Sequence, residues 1–336
     1  MIDNNKNMSI YRAIFRNSLK ITWRNKYLWF FGIFAAFVSN IGEFNLAWEK
    51  IPQVNENASF LSVLRSSYEQ GIIGGFWTNL TELFTSLNFM GWLLMIVLLL
   101  LILFLIWLSI VSQAGIFASA YKIFKKKKTD FSETFRTGRQ NFWKVLWLNI
   151  LFKLFVLVLW IVLILPLVIL YLSQGAPGIQ SLFVVLSFVI LLPVTIILSF
   201  IIKYAILFVV NKGMTVKESL KEAWYIFKHN WLISVEMAII LFFLSIIFVI
   251  AVFLAIVILS AIFSILMGIF STASFVGISY VVFTIAVIVL ICLILWLGAM
   301  WSTFVHSCWA ILFIRISEGQ IMSKIARLLH PSSEEE

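Results

Sequence analysis

Residues 90–108 read MGWLLMIVLLLLILFLIWL, a run without a single charged side chain. A helix needs about 20 mainly apolar residues to cross the hydrocarbon core of a bilayer. Only helices and closed barrels can span, because lipid offers no partner for a free backbone polar group. The run is too long, and too uniformly apolar, to be a barrel strand. It therefore predicts a transmembrane helix and an all-α fold.

The composition of the whole chain agrees with this interpretation. Hydrophobic residues make up 62% of the sequence and charged residues 12%, against about 25% charged residues in a soluble domain. Thirty-three Phe and fourteen Trp would cover a soluble protein with large apolar patches, whereas lipid is a suitable neighbour for all of them. We therefore exclude a soluble enzyme.

Six apolar runs are long enough to be considered spans, and the chain is expected to form one integral membrane domain over 1–336. The first run is short and is interrupted by Ser39 and Asn40. The last two are longer than one crossing requires, so they must tilt, bend or project beyond the lipid. Bends near Leu254 and Gly298 would give an alternative of eight spans with the same terminal orientation. The six predicted spans are 27–43, 90–121, 143–172, 182–210, 231–267 and 274–314.

The distribution of charge predicts the orientation. Residues 1–26 hold six basic groups and one acidic group. Residues 119–144 hold eight basic and two acidic groups, and residues 203–230 hold five basic and two acidic groups. Residues 43–89 hold two basic groups and five acids. Lys and Arg collect on the cytoplasmic side, so both termini are predicted to be cytoplasmic. Anionic headgroups then account for the net charge of +10, and no separate basic domain points to nucleic acid.

A polar-apolar helix precedes the first, third and fifth spans; we call these segments the entry helices. Each ends in a basic or amide residue and an aromatic residue: Ser18 to Trp29, Ser132 to Trp143, and Ser219 to Leu232. All three have the same orientation, which differs from the inverted repeats of many transporters. The entry helices divide the chain into three possible helical-hairpin units: 1–121, 122–210 and 211–336. A common origin of these units is a hypothesis.

The first entry helix carries a basic stripe, since Arg12, Arg16, Lys20 and Arg24 recur every four residues. Its other side holds apolar and small residues, which predicts a helix lying in the headgroup layer with that side toward the lipid. We expect the stripe, together with Lys125, Lys126, Lys127 and Lys128, to contact anionic headgroups. Anchoring of the neighbouring spans is the favoured role for these helices, and docking of lipid or of other membrane proteins is the second.

One group of short motifs resembles a known family. The motifs are Gly115 to Ala120, Phe131 to Phe135, Gly138 and Phe142-Trp143, together with the segment Ser219 to Trp231. They are similar to those of a large group of poorly characterised prokaryotic multi-pass proteins, which resemble the membrane domain fused to some glycerophosphodiester phosphodiesterases. The resemblance implies a location in a prokaryotic cytoplasmic membrane. It implies no activity, because the hydrolytic residues of the fused proteins belong to a separate soluble barrel.

Charged residues within spans are expensive and are functional candidates by default. Lys153 and Glu236 are predicted to face the protein interior and to interact directly or through water, with an offset of about 9 Å along parallel helices. The pair is either a structural ion pair or part of a transport path. Lys203 is the alternative partner for Glu236. For Lys203 and His306 we favour snorkelling or an interfacial position.

No Walker phosphate loop, GxSxG turn or HExxH motif occurs, and no catalytic, cofactor-binding or metal-ligating residues are predicted. The leading expectation is a non-enzymatic scaffold or partner-binding component of the membrane. The alternative is a permease or lipid-handling transporter, and a membrane-embedded enzyme comes third. We also expect residues 44–89 to form a partly ordered external cap.

Overall fold

The structure is a computed structural model that describes residues 10–43, 88–172, 177–272 and 276–319. Within these ranges all regular structure is α-helical, which confirms the predicted all-α class. The predicted external cap lies outside the described residues. The helices are α1 (Ile10–Arg24), α2 (Tyr27–Glu43), α3 (Phe89–Phe124), α4 (Phe131–Gln140), α5 (Phe142–Leu172), α6 (Pro177–Lys212), α7 (Val216–Thr272) and α8 (Val276–Ser317).

Five of the described helices, α3 and α5 to α8, are long and apolar enough to cross a membrane. The chain is therefore a helical multi-pass membrane protein. The helix at the first predicted span, α2, has 17 residues, and its described apolar part, Tyr27–Ala36, is shorter than a crossing needs. Five of the six predicted spans thus have helices of sufficient length. The remaining one, the first span at 27–43, stays a prediction.

The two longest helices are unbroken at the two positions where the eight-span alternative places its bends. Within α7 the backbone leaves the helical region only at Asn230 (φ −131°, ψ 28°), and the helix is continuous through Leu254. Helix α8 is continuous through Gly298. The part of α7 after Asn230 is about 63 Å long at about 1.5 Å per residue, roughly twice the hydrocarbon thickness. The excess length of these two helices therefore does not lead to breaks at Leu254 and Gly298.

The described chain forms two compact units whose limits cut across several helices. The first contains 10–37, 109–149, 199–272 and 276–319, and the second contains 38–43, 88–108, 150–172 and 177–198. The second unit exposes large apolar side chains such as Leu100 (60%) and Val162 (61%), as lipid-facing helices do. These units differ from the three sequential hairpins, which stay a prediction.

The core of the first unit comes from one end of each of α3, α6 and α8. Residues 109–120, 199–209 and 306–316 are almost wholly buried. The ring of Phe117 on α3 lies edge-on to that of His306 on α8, with centroids 4.8 Å apart. Phe208 on α6 meets Phe313 on α8 in the same way at 4.9 Å. Helix α8 therefore contacts both of the other two core segments.

The three entry helices pack against these core segments in a cyclic order. Helix α4 packs on α3, and the beginning of α7 packs on α6 through Phe227 and Phe200. Helix α1 packs on α8, the last helix described, where Phe15 and Phe304 stack with centroids 6.2 Å apart. Helix α4 and the start of α7 thus rest on the span that precedes them in the chain, and α1, the first described helix, rests on the last one. We call this arrangement the entry-helix ring.

Candidate functional site

An asparagine ends every entry helix in the same way. The side-chain amide donates to the backbone carbonyl four residues earlier, from Asn25 to Ile21 (2.9 Å), from Asn141 to Thr137 (3.0 Å) and from Asn230 to Ile226 (3.1 Å). The Ile21 and Thr137 carbonyls also accept the backbone amide of the same asparagine, at 3.1 and 3.3 Å, so the side chain supplies a second donor where the chain turns into the span. This shared geometry explains the amide residue in each predicted entry motif.

Seven residues before each of these asparagines lies a small buried side chain. The three are Ser18 (0% exposed), Thr134 (1%) and Ala223 (0%). Thr134 shows what the small size allows, because its hydroxyl lies 2.6 Å from that of Ser119 on α3. Small residues let helix backbones approach closely, so these positions fix each entry helix against its core segment.

Two glycines of the motifs that carry the family resemblance lie at packing contacts between α3 and α4. A Cβ added to Gly138 would lie 2.2 Å from the carbonyl oxygen of Val111, which leaves no room for a side chain. A Cβ on Gly115 would lie 3.0 Å from Thr134. These two glycines let α3 and α4 approach at short range.

Helix α1 separates a buried side from a basic exposed side. The stripe residues Arg12, Arg16, Lys20 and Arg24 are all exposed, as expected. The opposite side is buried within the protein, at residues Tyr11, Ile14, Ser18, Ile21 and Thr22. The expectation that this side faces lipid is therefore wrong. The buried side includes hydroxyl groups, and that of Thr22 donates to the Ser18 carbonyl at 2.9 Å.

Glu236 is bound by the first entry helix. The hydroxyl of Tyr11 on α1 donates to the Glu236 carboxylate on α7, and Tyr11 is buried while Glu236 is half-buried. Lys153 belongs to the second unit, and its side chain is exposed instead of facing the interior as expected. The pairing of Lys153 with Glu236 stays a prediction.

The other two predicted intramembrane residues lie in the core of the first unit. The Lys203 ammonium group is 4.8 Å from the ring centroid of Trp309, and Lys203 is half-buried. His306 is only 5% exposed, and its Nδ1 lies 2.7 Å from the Ser302 carbonyl oxygen. Snorkelling of His306 is therefore wrong, because its ring is enclosed by protein, and its interfacial position stays a prediction.

Two buried polar pairs were not predicted. Asn149 on α5 donates to the Gln113 amide oxygen on α3 at 3.0 Å, and the hydroxyls of Tyr204 and Ser234 lie 2.7 Å apart. Buried polar groups need such partners. The sequence signal is a polar residue within an apolar run, but the identity of its partner depends on helix packing that a single sequence does not contain.

The four consecutive lysines lie beside an open cleft of about 670 Å³ between the α3–α4 turn and the end of α1. Lys125 forms an ion pair with Glu318 beyond α8, so one of the four predicted headgroup contacts is already engaged within the protein. Lys126, Lys127 and Lys128 line the cleft and are exposed. The rest of the lining was not predicted: Asn25, Ile123, Thr129, Asp130 and Glu133.

Among residues 10–43, 88–172, 177–272 and 276–319, no three His, Cys, Asp or Glu side chains are grouped so that they could hold a metal ion. No family model, curated protein or solved structure matches this chain. The resemblance to the prokaryotic multi-pass family therefore stays an expectation.

Proposed function

We propose that this protein is a non-enzymatic scaffold of a prokaryotic cytoplasmic membrane, with both termini in the cytoplasm, and that α1 presents a basic face to an anionic partner. The observation that carries the proposal is the division of α1 into a side buried in the protein and an exposed stripe of four basic residues. The burial holds the stripe in a fixed position.

Several contacts keep α1 and the start of α2 in place. Tyr11 binds Glu236, and Phe15 stacks on Phe304. Just beyond α1, the Thr303 hydroxyl donates to the Leu28 carbonyl at 3.2 Å. A binding face that is already ordered loses little conformational entropy when a partner binds. Each basic residue near an anionic surface contributes about 1 kcal/mol, so the stripe favours a strongly acidic partner.

Co-purification from native membranes tests the proposal. The test variant combines Arg12→Gln, Lys20→Gln and Arg24→Gln. The control combines Lys217→Gln, Lys221→Gln and Lys228→Gln, three exposed lysines on the entry helix at the start of α7. We expect a specific partner to be lost from the test variant and kept by the control. Equal recovery from both variants would contradict a role for α1.

A permease or lipid-handling transporter is the second candidate, and the half-buried Glu236 favours it. A carboxylate in an apolar helix is a candidate for ion coupling. Purified protein in sealed vesicles with an internal pH-sensitive dye provides the test. A proton-coupled transporter would move protons down a pH gradient, and Glu236→Gln would abolish that flux while the protein stays folded. A scaffold would show no flux with either form.

A further inference from the structure

Left-handed residues follow the ends of all three core helices. Gly213 after α6 has φ +69°, Gly319 after α8 has φ +68°, and Lys126 after α3 has φ +60°. This conformation is unfavourable for any residue with a Cβ and is usually taken by glycine. Two of the three equivalent turns therefore contain the expected residue, and the turn beside the cleft contains a lysine.

Backbone hydrogen bonds stabilise the turn at Lys126 despite its unfavourable left-handed conformation. The Lys126 amide donates to the Ile123 carbonyl and the Lys127 amide to the Lys122 carbonyl, both at 2.9 Å. This is the pairing of a Schellman motif, in which the left-handed residue is most often glycine. A non-glycine residue kept in an unfavourable conformation is a reason to look for a function.

A second set of contacts ties the turn to the beginning of α2. The Tyr27 hydroxyl lies 2.7 Å from the Thr129 hydroxyl and donates to the Thr129 carbonyl at 3.2 Å. The cleft walls therefore come from two segments about 100 residues apart in the sequence that are held together by direct bonds.

The two carboxylates of the cleft are engaged in local contacts. Glu133 pairs with Lys122 at 2.7 Å, and Asp130 accepts from the Glu133 amide at 2.8 Å as the N-cap of α4. In the described part of the chain, the ammonium groups of Lys126, Lys127 and Lys128 have no protein partner. The cleft is thus a concave surface that carries three lysine ammonium groups without a described protein partner, beside the Asp130 carboxylate.

We propose that this cleft binds the phosphate of an anionic phospholipid headgroup. Lysine ammonium groups bind phosphate as point charges, and three on one fixed turn can share its oxygens. The turn follows directly on the apolar helix α3, at the end predicted to lie in the cytoplasmic headgroup layer, which favours a lipid over free phosphate. The inference deepens the proposed function and rests on its orientation, but it uses other residues than the α1 stripe.

The test measures lipid binding to the purified full-length protein in detergent, by the shift in thermal unfolding followed with tryptophan fluorescence. The probes are short-chain phosphatidylglycerol, short-chain phosphatidylcholine and inorganic phosphate. The variants are Lys127→Gln with Lys128→Gln, and Lys126→Gly, which keeps the turn. The matched control is Lys217→Gln with Lys221→Gln.

We expect phosphatidylglycerol to stabilise the protein more than phosphatidylcholine does, with an apparent affinity roughly 25-fold weaker in the Lys127/Lys128 variant. Lys126→Gly should weaken it about 5-fold without destabilising the protein. Unchanged affinity in both variants, or an equal loss in the control, overturns the site. Equal stabilisation by inorganic phosphate overturns the lipid source. None of these results affects the co-purification test of α1, which has its own variants and measurement.

Discussion

Single residues decide how closely the helices of the first unit approach one another. Gly138 is the clearest case, because its α-carbon faces the Val111 backbone with no space between. Gly298 is also helical, but a Cβ there would meet nothing within 4 Å. The sequence marks both as glycines within helical patterns and does not say which one is a contact, since contact depends on a helix from another part of the chain.

Gly138→Ala is therefore expected to destabilise the protein by about 1–3 kcal/mol, the usual cost of forcing an extra methyl group into a packed site. The obstacle is backbone, which cannot move aside as the end of a side chain can. Thermal unfolding in detergent measures the effect. Gly298→Ala is the control and should leave the unfolding midpoint unchanged or slightly higher, because Ala favours the helix. A similar loss in both variants would contradict the α3–α4 packing.

Glu236 shows the same limit on prediction from sequence. The sequence singles it out as a carboxylate in an apolar run, but its donor, Tyr11, lies 225 residues away. A partner at that separation is set by the closure of the entry-helix ring. The sequence indicates only the depth of each residue along its predicted span, and on that basis it predicts Lys153, with Lys203 as the alternative, as the partner of Glu236.

Tyr11→Phe should lower stability by about 1.5–3 kcal/mol, since it removes a hydroxyl donor from a charged acceptor. Adding Glu236→Gln should recover part of the loss, because a neutral amide needs that donor less. The free energy of unfolding of the four proteins of this cycle gives the coupling. Tyr280→Phe, at an exposed position, is the control. If Lys153→Met is rescued by Glu236→Gln and Tyr11→Phe is not, the predicted Lys153 pair is the stronger one.

At the level of elements, apolar length predicted most helices well and the breaks within them poorly. The predicted span 143–172 corresponds to α5 (Phe142–Leu172), and 274–314 to α8 (Val276–Ser317). The break in α7 falls at Asn230, where the entry motif ends. In apolar surroundings a helix keeps its internal hydrogen bonds, so excess length alone does not bend it.

The environment of α1 was the main error at this level. An amphipathic helix buries its apolar side, and the sequence does not say whether lipid or protein covers it. Ile14→Ala distinguishes the two. Ile14 is fully buried in the structure, so the change should cost about 2–5 kcal/mol. Leu19→Ala, on the same helix but 50% exposed, should change stability by less than about 0.5 kcal/mol. Small and equal effects of both changes on thermal unfolding would indicate that lipid, and not protein, covers the apolar side of α1.

For the whole molecule, charge predicts the orientation and helix geometry does not. Reporters fused after residues 128, 213 and 336 should be cytoplasmic, and one near residue 60 should be external. Alkaline phosphatase, active only outside the cytoplasm, and a fluorescent protein that folds inside it give opposite signals at each position. An external signal at residue 128 would reverse the map and place the lysine cleft at the external headgroup layer instead of the cytoplasmic one.

The entry-helix ring is the feature of the first unit that the sequence predicted only in part. Three similar entry helices could be recognised from their motifs, and two of them rest on the span just before them in the chain. The packing of α1 on α8 has no counterpart in chain order, because it joins the first described helix to the last. Because these contacts link the first described helix to the last, we expect the position of the chain termini to contribute little to stability.

A circular permutant tests this directly. A Gly-Ser linker joins residue 336 to residue 1, and the new termini are placed between Gly213 and Met214, in the turn between α6 and α7. We expect the permutant to fold, because the opened turn is not buried and every helix contact of the ring is retained. Its unfolding midpoint in detergent should lie within a few degrees of the parent value.

A second permutant, opened between Phe135 and Arg136 within α4, should fail to fold. It divides an entry helix whose Thr134 and Gly138 contacts lie on either side of the cut. Failure of the first permutant with survival of the second would show that chain order, and not the closed set of helix contacts, determines this fold.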